Sequence, residues 1–120
     1  MAVTSIVLTN NGEFWSIDRW QGTSSSPGFI GVGTGSTAAT KADTALQTEV
    51  ESRVATSNSE AAADKLQMVA TIVFSATRVM REAGVFLSSS GGIMIIRAVH
   101  DIINVANLDA ITYTFTLEQT

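Results

Sequence analysis

The chain has 120 residues, room for one ordinary domain and not for two. It contains no cysteine and a single histidine, which excludes disulfide frameworks, thiolate metal sites, cysteine nucleophiles and any site needing two imidazoles. Seven basic residues stand against eleven acidic ones for a net charge of −4, and the cations are scattered, so nucleic acid is not an expected partner.

Charged residues make up 15% of the chain, against about 25% in ordinary soluble domains, with serine, threonine and alanine in their place. Such a thinly charged exterior fits a domain that lies against other subunits, because interface centres are depleted in charge; Ser and Thr solvating ordinary strand faces would give the same composition. No cationic flank precedes the short apolar opening stretch, and no run of apolar residues is long enough to span a bilayer. A soluble chain without a signal peptide, and with no membrane partner, is the expectation.

In chain order, residues 2–9 hold Val3, Ile6, Val7 and Leu8 and end in Asn10-Asn11-Gly12, a tight-turn signal that predicts a hairpin. The return arm, residues 13–20, contains Phe14, Trp15, Ile17 and Trp20. A tract rich in Gly, Ser and Pro follows over residues 22–28, so residues 1–27 are read as an N-terminal arm or hairpin and residues 28–120 as the body. Phe29-Ile30-Gly31-Val32-Gly33 predicts a short glycine-interrupted strand. Residues 41–51 predict one short helix, with Ala42, Ala45, Leu46 and Val50 on one face and Thr40 with Asp43 as a capping box.

A brief strand over 53–56 and a loop over 57–60 lead into a long period-two segment, in which Leu66, Met68, Ala70, Ile72 and Phe74 share one face and both faces are expected to be covered. Strands over 79–87 and 93–99 flank Ser88-Ser89-Ser90-Gly91-Gly92, a strong hairpin signal. The last strand turns Ile111, Tyr113, Phe115 and Leu117 inward and its threonines outward. About eight short strands and one short helix predict an all-β fold, an antiparallel β-sandwich or a jelly-roll-like barrel.

Few residues suggest chemistry. The segment Gly31-Val32-Gly33-Thr34-Gly35-Ser36-Thr37 has the glycines of a phosphate-cradling loop but neither its lysine nor a long following helix, and reads as a glycine-rich turn. His100 adjoins Asp101, yet neighbours in a strand point to opposite faces, so the pair is not expected to form a catalytic dyad. No acid, base and nucleophile converge and no carboxylates have metal-loop spacing, so neither an enzyme nor a cofactor is expected. Arg81 and Glu82 interrupt an apolar strand. Glu82 lies on the opposite face from Arg97 if the intervening loop has five residues, and is its diagonal neighbour if the connection has four or is bulged; a structural ion pair or a subunit contact follows in the second case. Phe14, Trp15 and Trp20 can dock on a neighbouring subunit, stack on a sugar ring or fold back onto their own core. The candidate interface residues are therefore Phe14, Trp15, Trp20, Arg81, Glu82 and Arg97.

The ordered series Phe29-Ile-Gly-Val-Gly-Thr-Gly-Ser-Thr, Asp43-Thr-Ala-Leu with Glu49 and Arg53, Val79-Met-Arg-Glu-Ala-Gly-Val-Phe, Gly92-Ile-Met-Ile-Ile-Arg-Ala-Val and a Thr-alternating final strand resembles small virion structural proteins of tailed bacteriophages, over about residues 28–120. The chain departs from that pattern at Ala38-Ala39, in place of a proline-containing turn, and at His100-Asp101. The resemblance implies a non-enzymatic β-rich virion module, commonly a homotrimer and assembled in the host cytoplasm. It would serve as a capsid decoration (cement) protein on the major capsid protein, or as a tail, baseplate or fibre adaptor contacting other virion proteins. A carbohydrate-binding module using Trp15 and Trp20 as stacking platforms is the expectation from another class.

Overall fold

A computed structural model describes residues 3–22 and 27–118. The elements are β1 (Val3–Leu8), α1 (Asn10–Gln21), β2 (Phe29–Gly33), β3 (Glu49–Ala55), β4 (Ser57–Ala62), β5 (Lys65–Val73), β6 (Arg78–Phe86), β7 (Met94–Val105) and β8 (Ala110–Glu118). Among the described residues eight strands form two antiparallel sheets, ordered β1-β7-β6-β2-β3 and β4-β5-β8, so that of the expected sandwich and barrel the chain adopts the all-β sandwich. Between the sheets, Ile30, Val32, Ala83, Val85, Ile96 and Ala98 of the larger one meet Met68, Ala70, Ile72, Tyr113 and Phe115 of the smaller. Alternation builds this core: β5 and β8 pair without a register shift from Lys65↔Glu118 to Val73↔Ala110, so every second residue of each turns inward. The other face of β5 is not fully covered, since Val73 is 57% exposed.

The predicted hairpin over Asn10-Asn11-Gly12 is instead the helix α1, and the predicted return strand is its body. Thr9 caps it, its hydroxyl accepting from the Gly12 amide at 2.9 Å, and Gly22 ends it in the left-handed conformation with its N–H turned back to Arg19 and Asp18 carbonyls. Gly12 serves close approach here and not a turn: a Cβ at that position would lie 2.3 Å from the Ile95 carbonyl oxygen of β7. Trp15 enters the core from the helix, and β1 is the edge strand beside β7. Residues 23–26 of the predicted flexible tract lie outside the described residues.

The helix predicted over 41–51 does not form. The Thr40–Asp43 capping contacts are present, with the Thr40 amide and hydroxyl at 2.9 and 3.0 Å from the Asp43 carboxylate, but tertiary contacts stop propagation. Leu46 is drawn into a cluster with Phe86 and Met94, the amides of Gln47 and Thr48 turn to Glu82, and β3 begins at Glu49. The predicted loop at 57–60 is part of β4, whose polar, fully exposed residues suit an edge strand.

Candidate functional site

Glu82 and Arg97 lie on the outer face of the larger sheet, beneath the irregular segment 34–48. Arg97 stands opposite Gly84 and Glu82 opposite Val99, with a register shift between Val85 and Phe86, so the bulged connection makes the two side chains diagonal neighbours. Glu82 is 0% exposed and Arg97 2%. Oε1 of Glu82 accepts from Arg97 Nε and Nη2 at 3.1 and 3.0 Å and from the Gln47 amide at 2.9 Å, while Oε2 accepts from the amides of Gly35 and Thr48 at 3.0 and 2.8 Å. Arg97 Nη1 donates to Asp43 Oδ2 at 2.9 Å and to the Ala38 carbonyl at 3.4 Å. Burial opposes the Asp43 charge, but the hydrogen bonds from Thr40 and Arg97 outweigh it and hold its pKa below the ordinary carboxylate range.

This cluster explains the glycine-rich segment. A Cβ at Gly33 or Gly35 would come within 2.4 or 2.6 Å of Glu82 Oε2, so those glycines leave room for the carboxylate. The amide of Gly35 that might have held a phosphate already holds an internal anion. Glu82 and Arg97, expected as a structural pair or a subunit contact, are buried within their own fold and clip segment 34–48 to the sheet. Trp15, at 5% exposure, likewise turns into its own core and leaves only a small part of its surface to the cleft beside α1.

Other charges are committed in the same way. Arg53 lies over the Phe86 ring, 3.5 Å from its centroid, pairs with Glu49 at 2.8 Å, and reaches the carbonyls of Ser88 and Gly91 in the β6–β7 turn. Glu51, at positive φ where β3 bulges against β2, pairs with Arg78 at 2.8 Å and accepts from Ser75; the Arg78 hydrogen bond and the Ser75 amide lower its pKa. Arg81 is half-buried, with Nε lacking a hydrogen-bond partner among the described residues. His100 does not engage the Asp101 carboxylate: its Nδ1 lies 2.7 Å from the Asp101 main-chain carbonyl and its Nε2 2.9 Å from the Tyr113 hydroxyl across the sandwich. Burial pushes the Tyr113 pKa up to about 12.

The exposed surface also includes an apolar stripe. Phe14, Ile17 and Trp20 recur at every third residue on the outward side of α1 and are 69%, 51% and 68% exposed. Sequence reasoning selected Phe14 and Trp20 as aromatics and passed over the aliphatic Ile17, which the 3.6-residue period of the helix places in line with them. Trp20 also borders a cleft of about 670 Å³ between α1 and the ends of β4, β5 and β8, whose rim carries Glu60 and Asp64. Among the described residues no group of His, Asp and Glu is arranged to hold a metal ion, and no helix is long and apolar enough to cross a membrane. Comparison with protein-family models, curated proteins and solved structures finds no match.

Proposed function

We propose that this chain is a structural protein of a bacteriophage virion, a capsid decoration (cement) subunit that acts as a homotrimer and stabilises the head by covering seams between major capsid proteins. The observation that carries this reading is the bare apolar stripe of Phe14, Ile17 and Trp20 beside a set of ion pairs that are spent inside the fold. Exposed aromatic residues on a rigid helix anchored by Trp15 supply contact area at little entropic cost, and contact is the whole task of a cement protein. The resemblance over residues 28–120 supplies the virion context.

A reconstruction of the particle that carries the chain tests this. Density for the chain on the head lattice is expected, with occupancy strongly reduced in a Phe14→Ala, Trp20→Ala double variant. A position at the tail, baseplate or fibre base would favour the adaptor reading instead, and absence from the particle would end both.

One observation favours a second class, a carbohydrate-binding module: the Trp20 indole lines the 670 Å³ cleft, whose lining also includes the carboxylates of Glu60 and Asp64 and the cations of Arg19 and Lys65. Trp20 alone, without Trp15, would be the stacking platform. Binding of neutral oligosaccharides that is lost in Trp20→Ala and kept in Phe14→Ala would establish it.

A further inference from the structure

One side of the sandwich is stepped. β1 is the edge of the five-stranded sheet and β8 the edge of the three-stranded one, and each has a single strand neighbour. β8 packs on β7, where Tyr113 meets His100, and leaves the inner face of β1 partly uncovered. Of the inner-face residues of β1, Leu8 packs on the core, but Val3 and Ile6 are 51% and 55% exposed although they stand opposite His100 and Ala98, which are buried. They border a cavity of about 100 Å³ together with Tyr113, Phe115 and Thr116. The larger sheet thus overhangs the smaller by one strand, with its apolar side partly bare.

Apart from a register irregularity between Val3 and Ser5 of β1, neither edge carries the devices that usually block strand addition. β1 has no charged residue and β8 only its last, Glu118; neither contains proline, and β8 keeps an unbroken register with β5 over nine residues. The strands also run the same way. Val3 and Ile6 lie near Tyr113–Thr116, whereas Leu8 shares the cleft with Leu117.

A step of one strand is complementary to itself. Rotation about an axis parallel to the strands and beside the inner face of β1 sets β1 of one copy alongside β8 of the next, with the larger sheet of each continuing into the smaller sheet of the other. We propose that the occupant of this open side is a second copy of the chain, joined by parallel β1–β8 pairing with Val3 and Ile6 turned toward the symmetry axis. The same contact closes with two copies when the sheets continue flat, and with three when they splay. The surface does not depend on a virion setting, and it gives the homotrimer of the proposed function its seam. β1, six residues and about 20 Å long, sets the shared length, and an edge two sheets thick then presents on the order of 400 Å² per copy, about half the roughly 800 Å² per partner of a standard interface. Uncharged strands let copies of net charge −4 meet there without local repulsion.

Because the chain has no cysteine, a single one can be placed at will. Sedimentation equilibrium of the whole chain is expected to show a dimer or trimer. Mild oxidation should link Ile6→Cys into a covalent dimer, and should not link Leu108→Cys, a 76% exposed site in the β7–β8 turn, at the same concentration. Ile6→Lys should weaken association about a hundredfold with an unchanged far-ultraviolet circular dichroism spectrum; if that variant fails to fold, the Ile6→Cys link decides alone. A chain that stays monomeric at its solubility limit, or an oligomer in which Ile6→Cys does not link, overturns the assignment. An oligomer dispersed by Trp20→Glu and untouched by Ile6→Lys also overturns it, while leaving the virion reading standing; absence from the particle would end that reading and leave the β1–β8 contact intact.

Discussion

Glu82 makes five hydrogen bonds from a position with no solvent exposure, and three of them come from main-chain amides of a segment that has no regular structure of its own. A carboxylate there replaces the ladder that segment 34–48 lacks, which is how a long irregular stretch stays seated on a sheet. Removing the charge leaves Arg97 buried with only Asp43 opposite it, so Glu82→Gln is expected to destabilise the protein by about 3–5 kcal/mol in urea unfolding. Part of the alkaline pH dependence of stability comes from another single residue. Tyr113 is the only tyrosine, and its folded pKa of about 12 exceeds the ordinary value of 10.0. The stability it contributes is fully present below pH 10 and is lost as the pH rises toward about 12, because the unfolded chain ionises first. Phenolate absorbance at alkaline pH should therefore appear only well above the ordinary tyrosine midpoint or together with unfolding, and Tyr113→Phe should remove this part of the pH dependence.

At the scale of elements, α1 shows how one residue type carries two meanings. Asn10-Asn11-Gly12 has the composition of a hairpin turn, yet Thr9 caps a helix there and Gly12 lets it close onto the β7 backbone. Thr9→Ala is expected to cost about 1–2 kcal/mol, since the hydroxyl both caps the helix and donates to the Met94 carbonyl at 2.7 Å. Gly12→Ala should cost more, because the added methyl meets the Ile95 main-chain carbonyl, which cannot move aside as the Leu8 side chain can; the two unfolding curves measured side by side check the order. The strands of the smaller sheet were legible because their period-two pattern is long and continuous, as in Met68-x-Ala70-x-Ile72 and Tyr113-x-Phe115. The helix at 41–51 was wrongly expected from equally good local signals. Its capping contacts exist, but Leu46, Gln47 and Thr48 each gain more from the sheet below than from another helical turn.

For the whole molecule, the N-terminal segment belongs to the sandwich, with β1 paired to β7 and Trp15 among the core residues. Unfolding should accordingly be one transition. In a Trp20→Phe background, where Trp15 is the remaining indole, fluorescence and far-ultraviolet circular dichroism are expected to melt at the same temperature; an earlier fluorescence transition would mean that α1 leaves before the sheets part. Among the polar residues of its exterior, this single body carries exposed apolar surfaces, including the Phe14, Ile17 and Trp20 stripe and the Val3 and Ile6 side of β1.

By itself the sequence determined the all-β class, the β6–β7 hairpin and the inward faces of β5 and β8, while leaving sandwich and barrel open, because alternation along a strand is a local property that survives any arrangement of neighbours. It also narrowed Glu82 and Arg97 to two outcomes separated by one residue of register. Only the tertiary structure chose between them, turned Trp15 inward and Phe14, Ile17 and Trp20 outward, and left β1 overhanging β8. Those outcomes depend on bulges, close backbone approach and the relative widths of two sheets, and such quantities arise between segments distant in the chain, where no local pattern records them.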